Sequence, residues 1–100
     1  MGLDYAIDEL YSTGWSPLDT TGCLRHNDGR SFPTVDRACE EFKSSGFDLS
    51  VRYIQLFDCH RAEWRDGSGL QVGGVVGSCA DEAAVYALAQ LRRKAMAAAV

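Results

Sequence analysis

The chain lacks the features that would place it in a membrane or in an oxidising compartment. It has no run of about eighteen apolar residues, the length that a membrane-spanning helix needs. Its start, Met1-Gly2-Leu3-Asp4, lacks the basic and apolar regions of a signal peptide. Four cysteines are spaced along the chain without a CxxC pair, so reduced thiols are expected. We therefore expect a soluble cytoplasmic protein with no membrane partner.

The motifs of the common enzyme classes are also missing. The chain contains no Gly-rich nucleophile elbow, no Walker loop, no dinucleotide-binding fingerprint and no HExxH metal motif. A chain of 100 residues has little material for both a hydrophobic core and a walled substrate pocket. We therefore expect neither catalytic activity nor a bound cofactor.

Positive charge is scarce as well. The net charge is −4, of which residues 1–48 contribute −5 through nine acidic and four basic residues. Residues 49–100 contribute +1 through five acidic and six basic residues. Neither half is the strongly basic body that nonspecific phosphate binding usually needs, so nucleic acid is a disfavoured partner.

What the chain does have is the composition of one globular domain, with 46% hydrophobic and 24% charged residues. A first helix is predicted over residues 4–13, with Asp4 as its N-cap and Gly14 as its stop. The following loop or small hairpin turns tightly at Asp28-Gly29. Residues 1–33 are thus predicted to form a helix and a loop or hairpin that extend the main body of the domain.

Residues 34–96 are predicted to form an α-β-β-β-α core. Apolar residues at helical spacing indicate a helix over about 34–45. Segment 49–57 is rich in β-branched and aromatic residues and is expected to be the central strand. Apolar and polar residues alternate along segment 60–66, and turn residues separate this segment from segment 70–77. This pattern predicts an antiparallel meander.

The last helix is predicted to begin at Ser78, whose side chain forms a capping box with Asp81. Before it, Gly73-Gly74 marks a bulge, a close approach of another backbone or a ligand, or room for Trp64 or the helix to pack. The expected apolar face of the helix consists of Ala83, Ala84, Ala87, Leu88, Leu91 and Ala95. We predict a single α+β domain, a three-stranded antiparallel sheet with two helices on one face and an additional N-terminal helix that closes an edge or end.

The closing segment resembles the last helix of double-stranded-RNA-binding domains. The stretch "AAVYAL", residues 83–88, matches the AAxxAL signature of that family, and the predicted element order over residues 34–93 is similar to the family's order. The resemblance implies a three-stranded sheet packed by helices on one face, and it implies RNA as the ligand of the family. Alanine and leucine at these steps suit any helix laid closely on a sheet, so the resemblance concerns architecture more than activity.

The residues that contact RNA in that family are replaced here. The family's helix opens with three lysines that contact phosphates, and the corresponding positions are Val76, Gly77 and Ala80. Asp81 and Glu82 stand beside them and would repel a phosphate backbone. His60 stands near the place of the family's loop histidine, without the Gly-Pro that precedes it there. RNA binding by a degenerate basic surface, made of Arg52, Arg61, Arg65 and the cluster at residues 92–94, is therefore the alternative function.

Arginines on the solvent face of the predicted sheet form the candidate binding site. Arg52, Arg61 and Arg65 project together from neighbouring strands, with Glu63 between Arg61 and Arg65. Arginine on a sheet whose other side is covered by helices suits an acidic protein partner. We therefore predict a small non-enzymatic interaction module that binds another protein through this face or through its acidic N-terminal half. The oligomeric state is left open.

Cysteine and histidine residues offer a further alternative, a small zinc-binding protein. Cys23, His26, Cys59 and His60 are four potential zinc ligands. Adjacent Cys59 and His60 would point to opposite faces of a strand, so we expect no metal, with Cys23 and Cys59 at the ends of elements. The remaining two cysteines, Cys39 and Cys79, are expected to be small core residues.

Overall fold

The computed structural model describes residues 2–17 and 20–98, and side chains as far as residue 95. The helices are α1 (Leu3–Ser12), α2 (Val35–Ser44) and α3 (Ala80–Ala98). The strands are β1 (Cys23–Arg25), β2 (Ser31–Pro33), β3 (Asp48–Ile54), β4 (Cys59–Arg65) and β5 (Gln71–Gly77), with a short 3-10 turn at Gln55–Phe57. The predicted α+β class and the α-β-β-β-α order after an N-terminal helix and hairpin are confirmed. Within the described residues, no helix has the length and apolar character needed to cross a membrane.

The strands β3, β4 and β5 form a three-stranded antiparallel sheet in which β4 lies in the middle. Each strand pairs with the next one along the chain, so β3 is an edge strand. The prediction that segment 49–57 is the central strand is therefore wrong. Its β-branched and aromatic residues reflect packing against α2 and α3, not strand pairing on both sides.

The three-stranded sheet has a covered inner face and an uncovered outer face. Alternation places Leu49, Val51, Ala62, Trp64 and Val75 on the inner face, where they belong to the core or pack against it. The outer face carries the other set of residues: Asp48, Ser50, Arg52, Ile54, Cys59, Arg61, Glu63, Arg65, Gln71, Gly74 and Val76. The helices lie on the inner face, which leaves the outer face to solvent.

Trp64 is the largest fully buried side chain, and it packs across Gly73. A Cβ at Gly73 would overlap the indole ring, so glycine is required there by space. The register shifts between Trp64 and Arg65, so that Arg65 pairs with Gln71. Of the roles predicted for the glycine pair, room for Trp64 is thus confirmed at Gly73, whereas the shift in register falls beside the pair, at Val72. The indole also contacts Phe42 of α2, with ring centroids 5.4 Å apart.

Helix α3 is packed between the sheet and α1. It contacts all three strands of the sheet, and it also contacts α1, α2 and β2. Its buried residues occupy most of its circumference: Glu82, Ala83, Ala84, Val85, Ala87, Leu88, Ala89 and Leu91. A helix that is apolar nearly all round is normally covered on all sides. The prediction that the N-terminal helix closes an edge or end of the sheet is therefore wrong, because α1 packs on α3 instead. Ala95, predicted on the buried face, is exposed.

Two predicted helix caps differ in the structure. Gly2 occupies the N-cap position of α1, and Asp4 instead pairs with His26 of the β1–β2 hairpin. At the other helix, Glu82 and not Asp81 reaches back, and its Oε2 accepts a hydrogen bond of 2.5 Å from Ser78 N. The helix α3 begins two residues after the predicted start. Both predictions were wrong because an acidic side chain near a helix start has several possible partners.

One hydrophobic core joins the N-terminal segment to the rest of the chain. The N-terminal members of this core are Ala6, Ile7, Leu10, Trp15 and Phe32, which cluster with Phe42, Trp64 and Leu88. The indole Nε1 of Trp15 also donates to Glu41 Oε1 of α2 at 3.1 Å. The helix and hairpin of residues 1–33 are therefore part of the same core as the α-β-β-β-α segment.

Candidate functional site

The outer sheet face brings the three predicted arginines together. Arg52 of β3 is the direct cross-strand partner of Arg61 of β4, and Arg65 follows on the same face of β4. All three guanidinium groups turn to Glu63. Its Oε1 accepts from Arg61 Nε at 2.6 Å and from Arg52 Nη2 at 3.2 Å, and its Oε2 lies 4.0 Å from Arg65 Nη2. The predicted convergence of the arginines is confirmed, and its centre is a single carboxylate.

Glu63 is enclosed although it stands on the solvent face. Its side chain is only 11% exposed, whereas those of Arg52 and Arg65 are 65% and 51% exposed. The hydrogen bond from Arg61 is the main cause that lowers the pKa of the Glu63 carboxyl, with a further contribution from the charge of Arg52 and with desolvation acting in the opposite direction. The ionised carboxylate therefore binds Arg61 and Arg52 by hydrogen bonds and attracts Arg65 by charge alone.

The outer face keeps a positive excess after this pairing. Three guanidinium groups surround the Glu63 carboxylate, and Asp48, the cross-strand partner of Arg65, adds a second negative charge, so the net charge of the face is +1. A guanidinium has five N–H donors, so Arg52 and Arg65 retain donors that Glu63 does not use. Val76 and Ile54 add apolar surface beside the charges. The arrangement can bind carboxylates and present a small apolar contact area at once.

The second basic cluster lies on the helical side of the molecule. Arg92 Nε donates to Thr13 Oγ1 at 2.8 Å, and Arg93 pairs with Glu9. The Lys94 ammonium reaches a backbone carbonyl of β5. These contacts tie α3 to α1 and to the sheet, so the cluster and the outer-face arginines do not form one basic surface.

The positions that correspond to the RNA-contacting residues of double-stranded-RNA-binding domains do not come together on one helix and one loop. His60 lies within β4, as predicted, and is paired with Tyr53 and Gly77, whereas the corresponding histidine of the family lies in a loop. Its ring contacts the Tyr53 ring at 5.2 Å, and its buried Nδ1 has no hydrogen-bond partner among the described residues. Val76 and Gly77 end β5, and only Ala80 belongs to α3. The three positions that the resemblance aligns with the family's lysines are therefore divided between a strand and a helix.

The cysteine and histidine residues are dispersed. Cys23 and Cys59 begin strands, as predicted, and His26 lies in the hairpin. In the part of the chain that the structure describes, no three His, Cys, Asp or Glu side chains lie close enough together to hold a metal ion. Cys39 is half-buried, and this burial raises the pKa of its thiol. Cys79 is exposed, so the prediction that it is a core residue is wrong.

A groove of about 540 Å³ runs along α3, between α1 and β5, and sequence reasoning missed it. We call it the Tyr5–Tyr86 groove. Its lining includes Tyr5 and Glu9 of α1, Val75 of β5, and Glu82, Tyr86 and Arg93 of α3. The α3 residues recur at the spacing of one helix face, which is the signal that could have indicated it. No sequence pattern shows, however, that α1 and β5 would leave a gap between them.

Glu82 is the unusual residue of this groove. It is 4% exposed, and while Oε2 accepts from Ser78 N, Oε1 has no hydrogen-bond partner among the described residues. The helix start packs so closely on β5 that a Cβ at Gly77 would lie 2.9 Å from Oε2. Burial, then the nearby Glu82 carboxylate and Tyr5, raise the pKa of the Tyr86 phenol. The groove thus combines two phenol rings with a carboxylate that has spare acceptor capacity.

Comparisons of the chain with protein-family models, with curated proteins and with solved structures give no match. The α-β-β-β-α order on which the resemblance to double-stranded-RNA-binding domains depends is present in the structure. Membership of that family stays a prediction. The outer sheet face and the Tyr5–Tyr86 groove are two candidate binding surfaces.

Proposed function

We propose that this protein is a non-enzymatic interaction module whose outer sheet face binds an acidic segment of another protein. The observation that carries the proposal is the convergence of Arg52, Arg61 and Arg65 on Glu63 in the middle of an uncovered sheet face. Complementary charge is one of the properties by which a protein surface selects its partner.

The arrangement of these arginines favours a carboxylate-bearing partner. Arg61 is held by the short hydrogen bond to Glu63, and Arg52 is held by a second bond to the same oxygen. Side chains that are already ordered lose less conformational entropy when a partner binds. Guanidinium groups bind carboxylates through paired hydrogen bonds with defined geometry. The outer face therefore offers preformed donors for Asp or Glu side chains.

Several observations favour a protein over a nucleic acid. The cluster at residues 92–94 faces away from the outer sheet face, so a phosphate backbone could not follow both basic groups on one surface. Tyr53 and Trp64 lie on the inner side of the sheet, which leaves the outer face without an aromatic ring for base stacking. Asp81 and Glu82 stand in the first turn of α3, where they oppose phosphate binding.

The test is a titration of the isotopically labelled chain with the blocked peptide acetyl-ELEELE-amide, followed through backbone amide shifts. We expect shifts on the outer face of β3, β4 and β5. The double variant Arg52→Gln/Arg65→Gln should bind about fivefold more weakly, because each exposed ion pair contributes up to about 1 kcal/mol. It leaves the bond between Arg61 and Glu63 in place.

The matched control is Arg25→Gln/Lys43→Gln, which removes the same charge from exposed positions outside the three-stranded sheet. It should bind the peptide within about twofold of the parent. Equal weakening by both double variants would mean bulk charge attraction and would overturn the proposal, as would an absence of shifts on the outer face. A short RNA duplex that shifts the same amides, with affinity falling steeply as salt rises, would replace it by nucleic-acid binding.

A further inference from the structure

The Tyr5–Tyr86 groove has the dimensions of a site for an extended peptide. Its α3 wall runs from Glu82 to Arg93, a length of about 16 Å, which accommodates about five residues of extended chain. The opposite wall is β5, whose outer edge pairs with no described strand. Lys94 Nζ lies 3.5 Å from the carbonyl of Val72 at one end of this edge, and the start of α3 packs on Gly77 at the other. An open edge presents free backbone donors and acceptors to another strand.

Glu82 supplies a specific polar feature beside this edge. The carboxylate is almost completely buried and uses only Oε2, which leaves an acceptor without a donor among the described residues. Buried polar groups are nearly always hydrogen-bonded, and an unpaired one is costly. Farther along the groove, Glu9 and Arg93 pair with each other. The charge that remains unbalanced in the lining is therefore the negative charge of Glu82.

Two phenol rings lie in the same groove. Tyr5 is 59% exposed, which is high for a large aromatic residue, and Tyr86 is half-buried on α3 one turn after Glu82. A cation beside an aromatic face gains electrostatic attraction, and a carboxylate strengthens the preference for a cation. An ammonium group has both the charge for this environment and N–H donors for Oε1.

We propose that the Tyr5–Tyr86 groove binds an extended peptide that adds a strand to the free edge of β5 and places a lysine ammonium at Glu82, beside Tyr5 and Tyr86. In this mode the backbone hydrogen bonds supply affinity, and the pocket for the lysine supplies specificity. The site is separate from the outer sheet face and does not depend on the function proposed for that face. The protein would then hold two partner segments of opposite charge on different surfaces.

The experiment titrates the labelled chain with the blocked peptide acetyl-TVKVT-amide and follows backbone amide shifts. We expect shifts at Val75 and Tyr86, which line the groove and do not lie on the outer sheet face. The peptide acetyl-TVQVT-amide should bind roughly ten- to hundredfold more weakly, because it lacks the charged donor to Glu82. A peptide that is N-methylated at both valine amides should show no binding, since it cannot pair with a strand.

The protein variants separate the groove from general charge effects. Glu82→Gln should weaken binding of the lysine peptide roughly ten- to hundredfold, while Asp81→Asn, which removes the same charge one residue away, should leave binding within about twofold. Because Glu82 also accepts from Ser78 N, a second variant tests the site at an exposed position. Tyr5→Ala should weaken binding about two- to fivefold.

Three results would overturn the proposal: equal binding of the lysine and glutamine peptides, equal effects of Glu82→Gln and Asp81→Asn, or unchanged binding of the N-methylated peptide. The outer-face variant Arg52→Gln/Arg65→Gln should bind the lysine peptide as the parent does. Failure of the groove site would therefore be distinguishable from failure of the outer-face site, because the two sites use different peptides and respond to different variants.

Discussion

Glu63 shows how a single residue can differ from what its position in the sequence suggests. Alternation along β4 places it on the solvent face, yet Arg52, Arg61 and Arg65 enclose it. Gly74, its partner on β5, carries no side chain that could compete for this space. The carboxylate is therefore the centre of the outer face, and its ionisation should be linked to the stability of the fold.

The folded state holds the pKa of Glu63 below its ordinary value of 4.5, chiefly through the hydrogen bond from Arg61. A lowered folded pKa contributes stability that is complete above the unfolded pKa and is lost as the pH falls through the folded pKa. We predict that the free energy of unfolding falls less for Glu63→Gln than for the parent when the pH is lowered below about 4.5. The measurement is urea unfolding at several pH values across that range. Glu40→Gln on the exposed side of α2 is the control and should follow the parent. Parallel curves for Glu63→Gln and the parent would contradict the prediction.

At the scale of the elements, the packing of β5 depends on its glycines. Gly73 faces Trp64 on the inner face, whereas Gly74 faces Arg61 on the outer face. A Cβ at position 73 would meet a buried ring that is also packed against Phe42. A Cβ at position 74 would meet the far end of a flexible guanidinium at 3.0 Å. The two glycines are adjacent in the sequence but respond to different constraints.

We predict that Gly73→Ala destabilises the protein by about 1–3 kcal/mol or more, because the core around Trp64 cannot make room without strain. Gly74→Ala is the matched control and should cost less than about 1 kcal/mol, since Arg61 can move. The measurement is the urea concentration at the midpoint of unfolding, for variants in which the unfolding free energy depends on urea with the same slope as in the parent. Equal losses in the two variants would contradict contact with the indole as the cause.

At the scale of the whole molecule, the N-terminal segment and the α-β-β-β-α segment depend on each other. Ile7, Leu10 and Trp15 are buried in the same cluster as Trp64 and Leu88. Each large apolar side chain contributes about 1.5–3 kcal/mol by burial, and domains are stable by only about 5–15 kcal/mol. Loss of the first segment would also expose the side of α3 that α1 covers.

We therefore predict that a fragment of residues 34–100 does not unfold cooperatively, although it contains every strand of the three-stranded sheet. The measurement is thermal unfolding by circular dichroism together with the dispersion of amide resonances. The full chain with Ile7→Ala, which should lose about 2–5 kcal/mol but keep the fold, is the comparison. A fragment that melts cooperatively near the temperature of the full chain would contradict the shared core.

The elements of this protein could be predicted from the sequence to within a few residues, and so could the arginine site. Gly29 supplies the positive φ of the hairpin turn, and Gly46 supplies it after α2. Arg52, Arg61 and Arg65 share a face because strand alternation has a period of two. By contrast, the partner of an acidic residue such as Asp4 could not be predicted, since several donors lie within reach of a folded chain.

Local sequence patterns predict the helices, the strands, the antiparallel pairing of β4 with β5 and the composition of the outer sheet face. These depend on periodicity, glycine and capping residues, which act over a few neighbouring positions. The central place of β4, the packing of α1 on α3, and the groove that Tyr5 and Tyr86 share beside an unpaired strand edge are seen only in the folded molecule. These features arise when surfaces from distant parts of the chain pack together, and the free energy of that packing depends on shape and burial that no local pattern specifies.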